Sequence, residues 1–144
     1  MKTLLHIITI LALVVTPALA DSKIKAGPRK GRILELEGQN AEFLVEKDRT
    51  VSIAFYDAAG KKQPAAAQVI VATAEAPGAK TKLEFEKKGD LLVSKAPLPA
   101  GEGYQVVVQA KTSADAKAKN FRIKLETHIC KGCSNPEYTC TCDE

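Results

Sequence analysis

From Gly31 onward apolar and polar residues alternate with period two, the pattern of strands that bury one face. Ile33 to Glu37 reads as a short strand closed by Gly38-Gln39-Asn40. Ala41, Phe43 and Val45 then alternate with Glu42, Leu44 and Glu46, and Glu46-Lys47-Asp48-Arg49 makes the next turn. Val51, Ile53 and Phe55 share one face of Thr50 to Asp57, and Asp57-Ala58-Ala59-Gly60 has the residues of a type I turn. Gln68 to Ala74 is a nearly continuous apolar run that predicts a central strand. Leu83 and Phe85 alternate with Lys82, Glu84 and Glu86, and Gly89-Asp90 fits a two-residue hairpin into Leu91-Leu92-Val93. Pro97 to Gly103 cannot continue a ladder and predicts a loop across one end of the domain. Two strands follow, Tyr104 to Lys111 and Phe121 to Leu125, separated by an Ala/Lys-rich connection.

About eight short strands at roughly ten-residue spacing, with no helical period, predict an all-β fold. The expected architecture is an antiparallel immunoglobulin-like β-sandwich with a Cys-rich C-terminal tail; a flattened barrel is the alternative. The predicted core is Phe43, Val45, Val51, Ile53, Phe55, Val69, Val71, Leu83, Phe85, Val106, Val108, Phe121, Ile123 and Leu125. It contains no residue of the tail, so a chain ending at Glu126 is expected to fold by itself.

The two ends depart from this pattern. Lys2, the apolar run Leu4 to Val15 and the small-residue site Pro17-Ala18-Leu19-Ala20 predict a cleaved signal peptide over 1–20 and a periplasmic or secreted protein. The run is too short to span a membrane, which takes about 20 apolar residues. Residues 21–30 form a basic arm with Gly27-Pro28, expected to be solvated and flexible. The sandwich is assigned to 31–126 and the tail to 127–144. Removing Lys2 takes the 21 Lys and Arg to 20, against 17 Asp and Glu. That balance is mildly basic, and export makes nucleic acid an improbable partner.

All the chemistry concentrates in the tail. Its four cysteines, Cys130, Cys133, Cys140 and Cys142, are spaced C-x2-C-x6-C-x-C, and His128 stands two residues ahead. Four thiolates around one ion with metal–sulfur bonds of about 2.3 Å need sulfurs roughly 3.8 Å apart. A C-x2-C pair converges across a tight turn, for which Gly132 offers positive φ. A C-x-C pair projects from one face of an extended segment, and Asn135-Pro136 lets the pairs fold together. His128 is positioned to replace one sulfur. Soft thiolates select Zn(II) or Cu(I) over hard cations.

The exported compartment favours disulfides instead, which would make the tail a structural knot on an interaction module. Against this, Cys140 and Cys142 are poorly spaced to pair, at about 6.7 Å in extended chain. Both readings stand on the residues alone. No nucleophile elbow, phosphate loop or plausible catalytic carboxylate pair is present, and the C-x2-C lacks the βαβ setting of a redox centre. The chain does not read as an enzyme.

Several stretches also carry a resemblance: Gly31 to Val45, Ala54-Phe55-Tyr56-Asp57-Ala58-Ala59-Gly60-Lys61, Leu98-Pro99-Ala100-Gly101, and Cys130-x2-Cys133 through Tyr138-Thr139-Cys140-Thr141-Cys142. The mature chain is similar to small exported bacterial β-sandwich proteins and to the domain near the start of periplasmic adaptors of heavy-metal efflux pumps. That family commonly has a histidine-glycine-glycine motif before the first strand. Here Pro28-Arg29-Lys30-Gly31 has no histidine, which leaves the tail as the one candidate site. The resemblance favours metal over disulfide and implies an envelope efflux system, or another periplasmic protein, as partner.

Overall fold

The computed structural model describes residues 23–142. The expected signal segment and the last two residues of the tail lie outside the described residues. Among the described residues there are ten strands: β1 (Arg32–Leu36), β2 (Gln39–Val45), β3 (Val51–Asp57), β4 (Lys62–Gln63), β5 (Val69–Ala76), β6 (Ala79–Leu83), β7 (Phe85–Lys88), β8 (Leu91–Ser94), β9 (Gln105–Lys111) and β10 (Lys119–Lys124). No helix among the described residues is long and apolar enough to cross a membrane. A 3-10 turn, Glu137–Thr139, lies in the tail.

The strands form two antiparallel sheets, ordered β1-β2-β3-β8-β7, with β4 also on β3, and β10-β9-β5-β6. The sub-orders β2-β3-β8-β7 and β10-β9-β5 correspond to the A-B-E-D and G-F-C sheets of the immunoglobulin constant-type sandwich. Tyr104, just before β9, donates its hydroxyl to the carbonyl of Pro99 at 2.7 Å, the tyrosine corner of such folds. Arg49 gathers the rest of that loop, donating to the carbonyls of Pro99 at 2.6 Å and Gly101 at 2.8 Å. The expected all-β sandwich is therefore observed.

Two details of the strands differ from expectation. Val69 is 40% exposed and Val71 half-buried, whereas Ile70, Ala72 and Ala74 face the core. A run that is apolar on both faces has no period to orient it. Cross-strand pairing decides instead, setting Ala72 against Val108 and Ala74 against Val106. The single strand expected around Leu83 and Phe85 breaks at Glu84. Leu83 ends β6, opposite Ala72, and Phe85 opens β7, opposite Ser94, so the chain changes sheets there. Alternation persists across the break, with Leu83 buried and Phe85 packed on the core, which hides the crossover from a periodicity reading.

The basic arm does not behave as a solvated lead-in. Lys25 accepts from the N–H of Ile33 at 2.8 Å, and Gly27 and Gly31 close a turn at 2.7 Å. This turn lies on the outer face of β2 and β3, where Glu42, Ser52, Ala54 and Tyr56 are all buried. The carboxylate of Glu42 accepts from the backbone N–H groups of Arg29 at 2.8 Å and Gly31 at 2.9 Å, and from Tyr56 Oη at 2.7 Å. Three donors offset the large cost of burying that carboxylate. Gly31 is required by close approach, since a Cβ there would sit 2.6 Å from the carbonyl oxygen of Phe43.

The tail is not separate from the core either. Tyr138 is 3% exposed and belongs to the central apolar cluster. Its ring meets Phe43 edge-on, with centroids 6.3 Å apart at 85°. Its hydroxyl accepts from Val45 N–H at 3.1 Å, and its own N–H donates to the carbonyl of Glu126 at 3.0 Å. An edge-on aromatic pair adds about 0.5–1.5 kcal/mol to simple burial. The expectation that the core contains no residue of the tail is therefore wrong, because a chain ending at Glu126 lacks the core side chain of Tyr138.

Two outcomes follow from these contacts. Tyr138→Ala should cost about 3–5 kcal/mol in urea unfolding, the usual range for emptying a large aromatic site, and truncation after Glu126 should cost at least as much. Unchanged midpoints would show that the tail does not support the core. On the opposite face, burial and then the hydrogen bond to Glu42 push the Tyr56 phenol up to about 12. Unfolded tyrosine ionises near about 10, so this contribution is complete below that pH and is lost as pH rises from there through the folded value. Stability should fall across that window, and Tyr56→Phe should flatten the fall; an equal drop in the variant would place its cause elsewhere.

Candidate metal centre

The tail folds as a small hairpin rooted beside the last strand. Glu137 N–H donates to the carbonyl of His128 at 2.9 Å and Cys130 N–H to that of Asn135 at 2.8 Å, with Ile129 bridged to Pro136. Inside it, Ser134 N–H reaches back to the carbonyl of Cys130 at 3.0 Å and closes the Cys130–Cys133 turn. The left-handed residue of this turn is Ser134, at φ 57°, and Gly132 has no positive φ. Gly132 is needed for a different reason. A Cβ there would stand 2.8 Å from Cys142 Sγ, so the bare backbone makes room for the fourth sulfur.

After Pro136 the 3-10 turn carries the chain back. Thr139 is fully buried and donates its hydroxyl to the carbonyl of Pro136 at 2.9 Å, while Cys140 N–H donates to that of Glu137 at 3.0 Å. Tyr138 points into the sandwich, and Cys140, two residues on, stands beside the first cysteine pair. The four Sγ atoms, from Cys130, Cys133, Cys140 and Cys142, all lie within 4.8 Å of one another. Individual separations are 3.8 Å for Cys130–Cys142, 3.6 Å for Cys133–Cys140 and 2.9 Å for Cys130–Cys140. These three lie at or below the roughly 3.8 Å edge of a tetrahedral four-thiolate site. All four are free thiols.

Backbone dipoles favour charge on two of these sulfurs. Asn135 N–H points at Cys133 Sγ, and Cys142 N–H lies 3.4 Å from Cys140 Sγ. The Asn135 bond is the main reason that the Cys133 thiol is lowered to about 7. Its neighbours go the other way. The contact with Cys130 pushes the Cys140 thiol strongly up. For Cys142 the largest influence, its bond with Cys140, is lowering, but contacts with Cys133 and Cys130 outweigh it and raise the thiol. One sulfur ionises readily, and its charge opposes further ionisation nearby. A cation at the centre inverts that balance and draws off the remaining protons.

His128 is not part of the sulfur group. Its exposed ring is set between carboxylates, with Nδ1 3.4 Å from Glu102 Oε2 and Nε2 3.9 Å from Glu137 Oε2. Glu102 also accepts from Thr127, through both the hydroxyl and, at 3.2 Å, the backbone N–H. Its carboxyl is held below the usual range, chiefly by the Thr127 hydroxyl. His128 thus helps to anchor the root of the hairpin to the loop after Pro99. Sequence reasoning found the four sulfurs but missed three supports: Tyr138, Glu102 and the Asn135 amide. The lone aromatic ring of the tail was the available signal for Tyr138; Glu102 is a tertiary contact with none, and the Asn135 amide is a local contact of the turn two residues after Cys133. No family model matches this chain, and no curated protein or solved structure matches it either.

Proposed function

We propose that this is a non-enzymatic exported metal-binding protein that holds one Zn(II) or Cu(I) ion on Cys130, Cys133, Cys140 and Cys142. Its role is to buffer that ion or deliver it to an efflux system or another protein of the envelope. The observation that carries the reading is the convergence of all four thiols within 4.8 Å, on a hairpin built from backbone hydrogen bonds. Four sulfurs from one chain complete a tetrahedral shell, as in structural sites, whereas a catalytic zinc keeps a position open for water. Thiolate donors match soft or borderline ions and not Mg(II) or Ca(II). Export is supported by the character of residues 1–20, and the efflux partner by the resemblance of the mature chain to adaptor domains.

Reduced protein should bind one equivalent of Zn(II) or Co(II), with sulfur-to-cobalt charge-transfer absorption in the latter case. Because Cys133 is lowered to about 7 while Cys140 and Cys142 are raised, binding should release protons throughout the neutral range. Affinity should therefore fall as pH falls, more steeply below about 7, where Cys133 too must lose its proton. Cys140→Ser should weaken binding by more than about tenfold. Protein isolated without free thiols or metal, and unable to take up metal after reduction, would overturn this reading in favour of a disulfide-knotted interaction module.

A further inference from the structure

The four sulfurs are not held equally. Cys130 and Cys133 belong to a turn closed by Ser134 N–H on the Cys130 carbonyl and by Cys130 N–H on the Asn135 carbonyl. Cys140 is 8% exposed and caps the 3-10 turn whose Tyr138 is sunk in the core. Cys142 is exposed, and its backbone N–H is directed at Cys140 Sγ, an atom of the cluster itself. Its Sγ reaches the cluster across the bare backbone of Gly132. Three sulfurs are thus fixed by the fold, and the fourth lies over them from the solvent side.

We propose that Cys142 is the exchangeable ligand through which this site gives up its metal to a thiol-bearing acceptor; the inference rests on the metal-binding function above. In the step, an acceptor thiol enters on the solvent side. The bond between the metal and Cys142 Sγ breaks as one to the acceptor sulfur forms, and the acceptor's proton passes to the released Cys142 thiolate. No electron changes hands and the ion keeps its charge. Cys130, Cys133 and Cys140 hold the ion through this exchange, and a second acceptor sulfur then displaces the next ligand. The fitting partner is a protein presenting two closely spaced cysteines, because each protein–metal bond lost is replaced by one of the same kind. A carboxylate or amine acceptor offers no such sulfur-for-sulfur exchange.

Gly132→Ala tests this with every thiol retained. Its backbone is not in the left-handed region, so alanine is tolerated there, while the added Cβ, 2.8 Å from Cys142 Sγ, displaces that sulfur. Zn(II)-loaded full-length protein is mixed with excess 2,3-dimercaptopropanesulfonate, and zinc remaining on the protein is followed by native mass spectrometry. The wild-type rate should rise in proportion to dithiol concentration. Gly132→Ala and Cys142→Ser should both transfer about tenfold faster, with the tyrosine fluorescence of the protein unchanged. A brief iodoacetamide pulse on the loaded protein should label Cys142 well before Cys130, Cys133 or Cys140. A transfer rate independent of dithiol concentration, or first labelling at one of the other three cysteines, would overturn the proposal. Failure of zinc to protect any cysteine from labelling would instead overturn the metal-binding reading itself.

Discussion

The seat of Tyr138 against Phe43 is the interaction on which the arrangement of this molecule depends. A stretch with as few apolar residues as 127–142 cannot offset its own ordering entropy, roughly 1–2 kcal/mol for each residue fixed. One buried ring changes that balance, because Tyr138 uses the apolar interior of the sandwich as its own core. Its hydroxyl and amide bind Val45 and Glu126, so it ties the tail both to β2 and to the chain leaving β10. Thr139 and Cys140 follow it into burial, and the two thiol-bearing segments are thereby placed side by side.

The opposite end of the chain solves a related problem on the other face of the same strands. Along β3 six consecutive residues, Val51 to Tyr56, are buried, which a sheet with one solvated face cannot produce. The arm supplies the second cover, and Glu42 is the fastening point. Arg29 extends it, donating from Nη2 to Glu46 at 2.9 Å and to Ser52 at 2.8 Å. β2 and β3 are thus clamped from outside by the arm and packed from inside by residues that include Tyr138. The cysteine hairpin is rooted, through Tyr138, on a strand held from both faces.

How much of this the sequence revealed follows from what kind of signal each feature leaves. Strands with one solvated face, such as β10 with Phe121 and Ile123 in and Arg122 and Lys124 out, are legible because period two is a local property. β5 was placed correctly and faced wrongly, since its apolar run has no polar face to orient it. Four cysteines at close spacing announce their own cluster. Glu42 looked like any solvated strand carboxylate, and Arg29 like part of a solvated charge run. Their roles come from a turn that returns over them, a contact between residues 13 apart in the chain. His128 misled for a related reason: its place in the sequence brings it near Cys130, but the Glu102 loop draws its ring towards carboxylates.

The central claim is that the fold brings four sulfurs together as one metal site, with His128 outside it. X-ray absorption at the zinc edge of the Zn(II)-loaded protein tests it most directly. The account predicts a first shell of four sulfurs at about 2.3 Å with no imidazole scattering. A shell containing nitrogen at about 2.0–2.1 Å, or fewer than four sulfurs, would contradict it.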